Sequence, residues 1–596
     1  MERNSVGMVN PQTFTFGSKS DPLVLESGYT LGPVDIVYET YGEPNADRSN
    51  AILICHALSG DHHAAGYHTP HDRHSGWWDN MIGPGKGFDT TKYWVISSNI
   101  IGGCKGSTGP GSINPATGEP FGLDFPVVTI GDMVEAQKRL MDHLQIEQLY
   151  SMAGGSMGGF QVLEWTLRYP RMVRSAICIA SAARLSTQAI AFNTVGRNAI
   201  TRDPAWKEGR YNGKGPEQGL ATARMVGHIT YLSEMLLDAK FGRRLQSANR
   251  LSYNFTSEFA IESYLNHKGS AFTQRFDANS YLYITKAADY FNLAQGYGSL
   301  KDVFARTKCR FLVMSFSSDW LFTPEQSRVI VDALIANRKD VSFCNIESPY
   351  GHDAFLLEPE ILGSFISSFL EATHRPDSKK KDRDIKGRDR HHQNHFEQAH
   401  RIRVDYEVIE SLIGSNSTVL DIGCGDGELL VKLTKDKNIK GEGIELDQDL
   451  VLACVDRGLS IIQHDVEHGL EDYADKSYDY VILSQTVQTV KNTEKVLAEL
   501  LRVGKKVIVS FPNFAHWRCR MQLLLTGNVP VTKQLPFEWH NSPNIHCLSL
   551  KDFDEFCNKL GVRVEKKIPL IKTRISPVKF APNLFAEQVI YVTSKE

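Results

Sequence analysis

The chain lacks several things that would narrow its class at once. Nowhere in its 596 residues is there an uncharged apolar run approaching the ~18 residues that a membrane helix needs. The opening "MERNSVGMVNPQTFTF" has no charged-then-apolar signal pattern, so a cytosolic protein is expected, with no membrane partner. Net charge is nearly absent: 66 basic against 69 acidic residues leave −3, which gives no electrostatic footing for nucleic acid or an anionic surface. No pair of the ten cysteines forms C-x-x-C, which argues against a disulfide framework and against a thiolate zinc site. Repeats at solenoid periods are missing too. What remains is a globular composition, 41% hydrophobic and 23% charged, in a chain too long for one hydrophobic core.

Apolar residues nearly vanish over "HRPDSKKKDRDIKGRDRHHQNH", residues 374–395, where both charge signs crowd together as in a linker. This predicts one α/β domain over 1–373 and another over 396–596. In the first, "AILICHAL", "YWVISSNI", "QLYSMAGGS", "SAICIASAA", "CRFLVMSFSSD" and "VSFCNIES" read as strands. Residues 185–305 or so, between the fourth and fifth of these, carry helical periodicity such as "LATARMVGHITYLSEMLLDAKF", the pattern of a lid inserted late in a sheet. In the second, "STVLDIGCGDG", "KGEGIELD", "LSIIQHDVE", "YDYVILSQTV" and "KKVIVSFPN" are spaced as five strands of a doubly wound sheet.

The first domain contains "AGGSMGGFQVLEW", a G-x-S-x-G motif with a strand before Ser156 and a helical pattern after it. This is the context of a nucleophile elbow, where a tight turn forces the serine into a strained conformation and small neighbours let strand and helix approach. Such a serine needs a base and an acid that orients the base, in the chain order Ser, acid, His. Asp319 follows the strand "CRFLVMSFSSD", and His352 follows "VSFCNIES" in "PYGHDAF". Acyl transfer also needs amide donors for an oxyanion, and Met157, next to the serine, and Leu58 in "LICHALSG" are the candidates. The histidine-rich "GDHHAAGYHTPHDRH" matches no ligand spacing, so no metal is expected and it reads as a polar loop at the pocket mouth.

Whether an acyl group on Ser156 passes to water or to another molecule does not follow from these residues. "HALSGDHH", "NIIGGCKGSTGP", "DFPVVTIGDMV", "AGGSMGGFQVLEW", "ARMVGHITYLSE" and "YGHDAF" closely resemble the MetX-type homoserine O-acyltransferases, over about residues 10 to 372. That resemblance implies an α/β-hydrolase fold, an acyl-CoA donor to Ser156, and activation of the homoserine hydroxyl by His352, with no cofactor for the transfer itself. It further implies that Arg224 and Asp353 hold homoserine, and that the domain pairs through its lid helices as a homodimer. A guanidinium for the carboxylate and a carboxylate for the ammonium suit a zwitterion. For the donor, "DWLFTPEQ" presents Leu321 and Phe322 after the acid, an apolar pocket that favours acetyl-CoA over succinyl-CoA unless an arginine distant in sequence folds in. The alternative is an esterase or thioesterase joined to an active methyltransferase.

In the second domain "VLDIGCGDG" sets Asp421, Gly423, Gly425 and Gly427 at a strand-to-helix turn, and Glu445 closes the next strand. Glycines let a backbone approach a ligand, and an acid at the second strand end suits ribose hydroxyls. With "GIELD" and "QHDVE", the stretch resembles class I S-adenosylmethionine-dependent methyltransferases, Rossmann-like domains, which implies S-adenosylmethionine binding with Asp465 at the adenine end. "RGLSIIQHDVEHGL", "YDYVILSQTVQTV", "VIVSFPNFAHWRCR" and "PFEWHNSPNIHCLSLKDF" resemble the MetW family over nearly all of 400 to 570. Phe511 leads "FPNF" where amino-group methyltransferases carry Asn or Asp, so a sensing role is expected of this domain rather than methylation.

Overall fold

The computed structural model describes residues 4–18, 20–211, 215–246, 250–374, 404–532, 535–571 and 577–595. The chain divides into two compact units, Met1–Leu370 and Glu371–Glu596. Beyond the helix end at His374, the charged stretch read as a linker lies outside the described residues.

Among the described residues the main sheet of the first unit has eight strands: β1 (Gln12–Phe16), β2 (Val34–Tyr41), β3 (Ala51–Cys55), β4 (Trp94–Ser98), β5 (Ser151–Gly155), β6 (Ser175–Ile179), β7 (Arg310–Phe316) and β8 (Val341–Ile346). They lie in the order β1-β2-β4-β3-β5-β6-β7-β8. From β4 to β8 the sheet is parallel, while β1 and β2 form an antiparallel edge. Every residue of β3, β5 and β6 is buried, as a parallel sheet covered on both faces requires. All six strands expected from the sequence are present; the β1–β2 edge is an addition, in which β1 is short and largely exposed while β2 shows the alternating burial of a strand.

Helix α1 (Ile130–His143) starts at a capping box between Thr129 and Asp132, and α2 (Met157–Arg168) starts directly at Ser156. The two helices share a buried polar chain. Trp165 Nε1 donates to Gln137 Oε1 at 2.8 Å, Gln137 Nε2 to Gln161 Oε1 at 2.7 Å, and Gln161 Nε2 to the His56 carbonyl at 3.1 Å. This chain ties the start of the loop after β3 to both helices, and that loop carries Leu58.

Between β6 and β7 stand the helices of the lid: α3 (Thr187–Thr201), α4 (Glu217–Tyr231), α5 (Glu234–Lys240), α6 (Ala260–Thr273) and α7 (Ala278–Tyr290). Helix α4 packs between α3 and α6. The lid is fastened to the sheet end of the unit by Trp320 Nε1, which donates to the Leu232 carbonyl at 3.0 Å, and by Tyr283, whose hydroxyl donates to the Phe125 carbonyl at 2.5 Å.

Among its described residues the second unit has seven strands where five were expected: β9 (Thr418–Ile422), β10 (Lys440–Glu445), β11 (Ser460–Gln463), β12 (Tyr478–Ser484), β13 (Gly504–Pro512), β14 (Arg563–Leu570) and β15 (Gln588–Ser594). Their order is β11-β10-β9-β12-β13-β15-β14, with the first five parallel and β15 antiparallel to both its neighbours. The strand order reverses between β9 and β12, the switch point at which such sheets open a crevice. No described helix is long and apolar enough to cross a membrane.

Candidate active site and nucleotide-type site

Ser156 occupies the turn between β5 and α2 at φ 58° and ψ −127°, a backbone conformation that costs a non-glycine residue of order 1–3 kcal/mol. The surrounding glycines are required by close approach. A Cβ on Gly158 would meet the Cys55 carbonyl oxygen at 2.1 Å, and one on Gly154 would meet the Gly158 backbone at 2.4 Å. Two hydrogen bonds fix the strained turn: the Ser156 amide donates to the Ile179 carbonyl at 3.0 Å, and Ser181 Oγ donates to the Ser156 carbonyl at 2.9 Å.

His352 and Asp319 are both buried, with His352 Nδ1 2.7 Å from Asp319 Oδ2. The other carboxylate oxygen of Asp319 accepts the amides of Leu321 at 3.0 Å and Phe322 at 2.9 Å. Burial disfavours the imidazolium, but the charge and hydrogen bond of Asp319 outweigh it and raise the His352 pKa above the ordinary value. The His352 ring is held by Phe322 at 5.1 Å and Phe355 at 5.6 Å between centroids. Phe355 also fills the space where a Gly155 side chain would stand, so one ring packs against both the serine's turn and the histidine. The Ser156 hydroxyl makes no hydrogen bond among the described residues.

A narrow cavity opens on Ser156, lined also by Leu58, Met157, Tyr231, Leu321 and Phe322. Met157 is the first residue of α2, where an amide has no partner within the helix. The Leu58 amide donates no hydrogen bond among the described residues. Both candidate oxyanion donors therefore line the Ser156 cavity, and neither amide has a partner among the described residues. Leu321 and Phe322 line this wall with apolar surface.

Arg224, on α4, reaches the loop of Leu58: its Nη1 donates to Ser59 Oγ at 3.2 Å, and its guanidinium lies over the rings of Phe272 and Tyr231. Asp353 is adjacent to His352 and half-buried; desolvation raises its pKa, against the lowering pull of His352 and Arg224. Cations surround this end of the lid. His228 is pushed down to about 3 by burial and by Arg224, Lys268, Arg275 and Lys240 together. Arg275, which the sequence reading did not single out, donates to the Ser59 carbonyl at 3.0 Å.

The histidine-rich loop converges on a residue from outside it. Glu39, on β2 and fully buried, accepts from Tyr41 at 2.7 Å and pairs with His63 Nδ1 at 3.1 Å and His68 Nε2 at 2.5 Å, with His62 Nε2 at 3.7 Å. Ligand-type atoms of Glu39, His62 and His68 all lie within 4.8 Å of one another, a grouping that spacing within the loop does not reveal. The carboxylate is satisfied by hydrogen bonds within this network, which offsets the cost of its burial. Desolvation would raise the Glu39 pKa, but the bonds from His63, His68 and Tyr41 lower it overall. His63 is raised in turn, its hydrogen bond to Glu39 outweighing burial.

In the second unit, Gly423, Gly425 and Gly427 follow β9 with φ of 65°, 60° and 79°. Glu445, ending β10, accepts the Gly425 amide on Oε2 at 2.9 Å and the amides of Leu446 and Asp447 on Oε1. Asp421 is buried at the end of β9. Asp465, after β11, caps a short helical turn by accepting the Glu467 amide at 3.0 Å. The glycine turn, Glu445 and Asp465 thus stand at the ends of three adjacent strands, on one side of the switch point.

The alpha/beta hydrolase fold family model matches residues 50–359, and the model described as methionine biosynthesis protein MetW matches 403–593. A bifunctional methionine biosynthesis protein MetXA/MetW of Rhodopirellula baltica is 42% identical over 561 residues, covering 92% of this chain and 87% of the relative. Over the first unit, a homoserine O-acetyltransferase of Methanosphaerula palustris is 58% identical, covering 63% of this chain and 75% of the relative. A homoserine O-succinyltransferase of Acidithiobacillus ferrooxidans is 53% identical, covering 62% and 96%. The crystal structure of a homoserine O-acetyltransferase from Bacillus anthracis superposes with a TM-score of 0.58 at 31% identity, covering 61% of this chain and 98% of that one. A likeness that runs through both units at 42% identity leaves one assignment: the chain belongs to the family of bifunctional MetXA/MetW methionine biosynthesis proteins, an α/β-hydrolase-fold unit joined to a MetW unit.

Proposed function

We propose that the first unit is a homoserine O-acyltransferase of methionine biosynthesis that works through an acyl group carried on Ser156, with acetyl-CoA as donor. The observation that carries this reading is the buried His352–Asp319 pair at 2.7 Å, whose imidazole packs on Phe355, the ring that also abuts the strained elbow turn of Ser156, and on Phe322, which lines the Ser156 cavity. His352 Nε2 takes the Ser156 proton as Oγ attacks the thioester carbonyl, and the oxyanion draws on the Leu58 and Met157 amides. Collapse of that intermediate breaks the C–S bond, and CoA leaves with the proton from His352. In the second half the homoserine hydroxyl gives its proton to His352 and attacks the acyl carbonyl. The ester bond to Ser156 breaks, Oγ recovers the proton, and O-acylhomoserine departs.

Arg224 and Asp353 suit the carboxylate and ammonium of the acceptor. The acetyl donor is supported by Leu321 and Phe322, which line the Ser156 cavity with apolar surface. Val195, Ile229 and Met235 are exposed on the lid helices, which supports pairing of two copies through the lid. For the second unit we propose S-adenosylmethionine as ligand. Gly425 has open space where a side chain would stand, and Asp421, Gly423, Gly425, Glu445 and Asp465 would hold the nucleoside and amino-acid ends. Bound there, it would supply a sulfonium methyl group or, in the reading we favour, a signal of pathway output. The acyltransferase reading is tested by CoA release that depends on added L-homoserine. The signalling role is tested by whether saturating S-adenosylmethionine alters that rate, which requires different affinity for two states of the enzyme.

A further inference from the structure

Arg275 follows α6, and its side chain turns toward the loop that carries Leu58. Its Nη1 donates to the Ser59 carbonyl oxygen at 3.0 Å, while Arg224 Nη1 donates to the hydroxyl of the same residue at 3.2 Å. The two guanidiniums also share one ring: Phe272 lies 4.6 Å from Arg224 and 5.1 Å from Arg275. Two like charges are thus gathered on one serine and one phenylalanine, from different parts of the lid. Neither forms an ion pair with a carboxylate among the described residues; Asp61 acts on Arg275, and Asp353 on Arg224, only from a distance. Each spends a single N–H on Ser59 and keeps most of its fork of donors free. The proximity is unfavourable on its own, and burial together with Arg224 lowers the Arg275 pKa.

An anion placed between the two forks would offset this repulsion and use the idle donors. Ser59 adjoins Leu58, which lines the Ser156 cavity, so such an anion would sit within a small molecule's length of the serine. The planar, bidentate geometry of guanidinium favours a carboxylate. We infer that Arg275 joins Arg224 to form a two-guanidinium carboxylate subsite at the mouth of the Ser156 cavity. The inference rests on the acyltransferase reading for its ligands, and a carboxylate can enter from two sources. One is the α-carboxylate of the amino-acid acceptor; the other is the distal carboxylate of a dicarboxylic acyl group. In the second case the arginine distant in sequence that would favour a succinyl donor is Arg275.

The test compares the full-length wild type with Arg275→Gln and Arg275→Lys, using L-homoserine or 3-aminopropan-1-ol, the same acceptor without its carboxylate, and acetyl-CoA or succinyl-CoA. For the acceptor source, Arg275→Gln raises the KM for L-homoserine about tenfold or more, Arg275→Lys recovers part of it, and 3-aminopropan-1-ol is used equally by all three proteins. For the acyl source, the loss is confined to succinyl-CoA, whichever acceptor is used. No loss, or equal loss with carboxylate-bearing and carboxylate-free partners in protein of unchanged circular dichroism, overturns the subsite. Calorimetric titration of L-homoserine and of succinyl-CoA into Ser156→Ala, with and without Arg275→Gln, reads the same subsite without turnover. Weakening of either by about tenfold upholds it, and weakening of neither overturns it. Failure of the wild type to release CoA in response to homoserine counts against the acyltransferase reading alone.

Discussion

Asp319 and His352 stand 33 residues apart in sequence and 2.7 Å apart in space, on loops that follow the adjacent strands β7 and β8. The parallel pairing of those strands brings both loops to one edge of the sheet, and the Leu321 and Phe322 amides leave a single oxygen of Asp319 facing the imidazole. The geometry fixes the tautomer: Nδ1 carries the proton toward Asp319, and Nε2 is left as the base.

Asp319→Asn should therefore reduce kcat by about 10⁴, because the amide favours the wrong tautomer. It should also move the acidic limb of kcat/KM. His352 must be neutral to accept a proton, and Asp319 raises its pKa, so wild-type activity should climb with pH through a value above the ordinary 6.5. The variant's residual activity should climb at lower pH. A pH profile of both proteins checks this, and an unmoved limb would contradict it.

Glu39 makes a prediction about stability. Its pKa is lowered, so its contribution is present above the unfolded value and is lost as pH falls through the folded one. The pKa of His63 is raised, so its contribution is present below the unfolded value and is lost as pH rises through the folded one. The pair therefore stabilises most in mildly acidic solution, between those limits. Glu39→Gln should cost about 1–3 kcal/mol there and flatten the fall in Tm as pH rises past the ordinary histidine value of 6.5. Melting curves across that range measure both effects.

Glu445→Ala removes the carboxylate that ends β10. If the second unit binds S-adenosylmethionine through that acid, the variant should bind it about tenfold to a hundredfold more weakly by calorimetry, with the acyltransferase rate in its absence unchanged. Equal affinity would remove Glu445 from the site.

The strained turn of Ser156 and the pairing of Asp319 with His352 were legible because each rests on a local signal: packed glycines around a serine, and polar residues just past β-rich runs. The lid was legible from helical periodicity, although its packing onto the Leu58 loop was not. Glu39 was invisible for a physical reason. A glutamate on an alternating strand reads as a solvent-facing residue, and only the fold brings His63 and His68 over it. Arg275 was missed likewise, since "TQRFDAN" carries no motif and the arginine acquires meaning only through Ser59, more than two hundred residues earlier. Of the two antiparallel strands of the second unit, β14 went unread because it is largely exposed and charged, whereas β15, the buried run QVIYVTS, carries a plain strand signal.

The most direct test of the account is CoA release by the purified full-length protein from acetyl-CoA and from succinyl-CoA, each with and without L-homoserine, alongside Ser156→Ala. The account predicts homoserine-dependent release, faster from acetyl-CoA, and reduced by several orders of magnitude in Ser156→Ala because serine and histidine act as a unit. Release that is indifferent to homoserine, or that survives loss of Ser156, would contradict it.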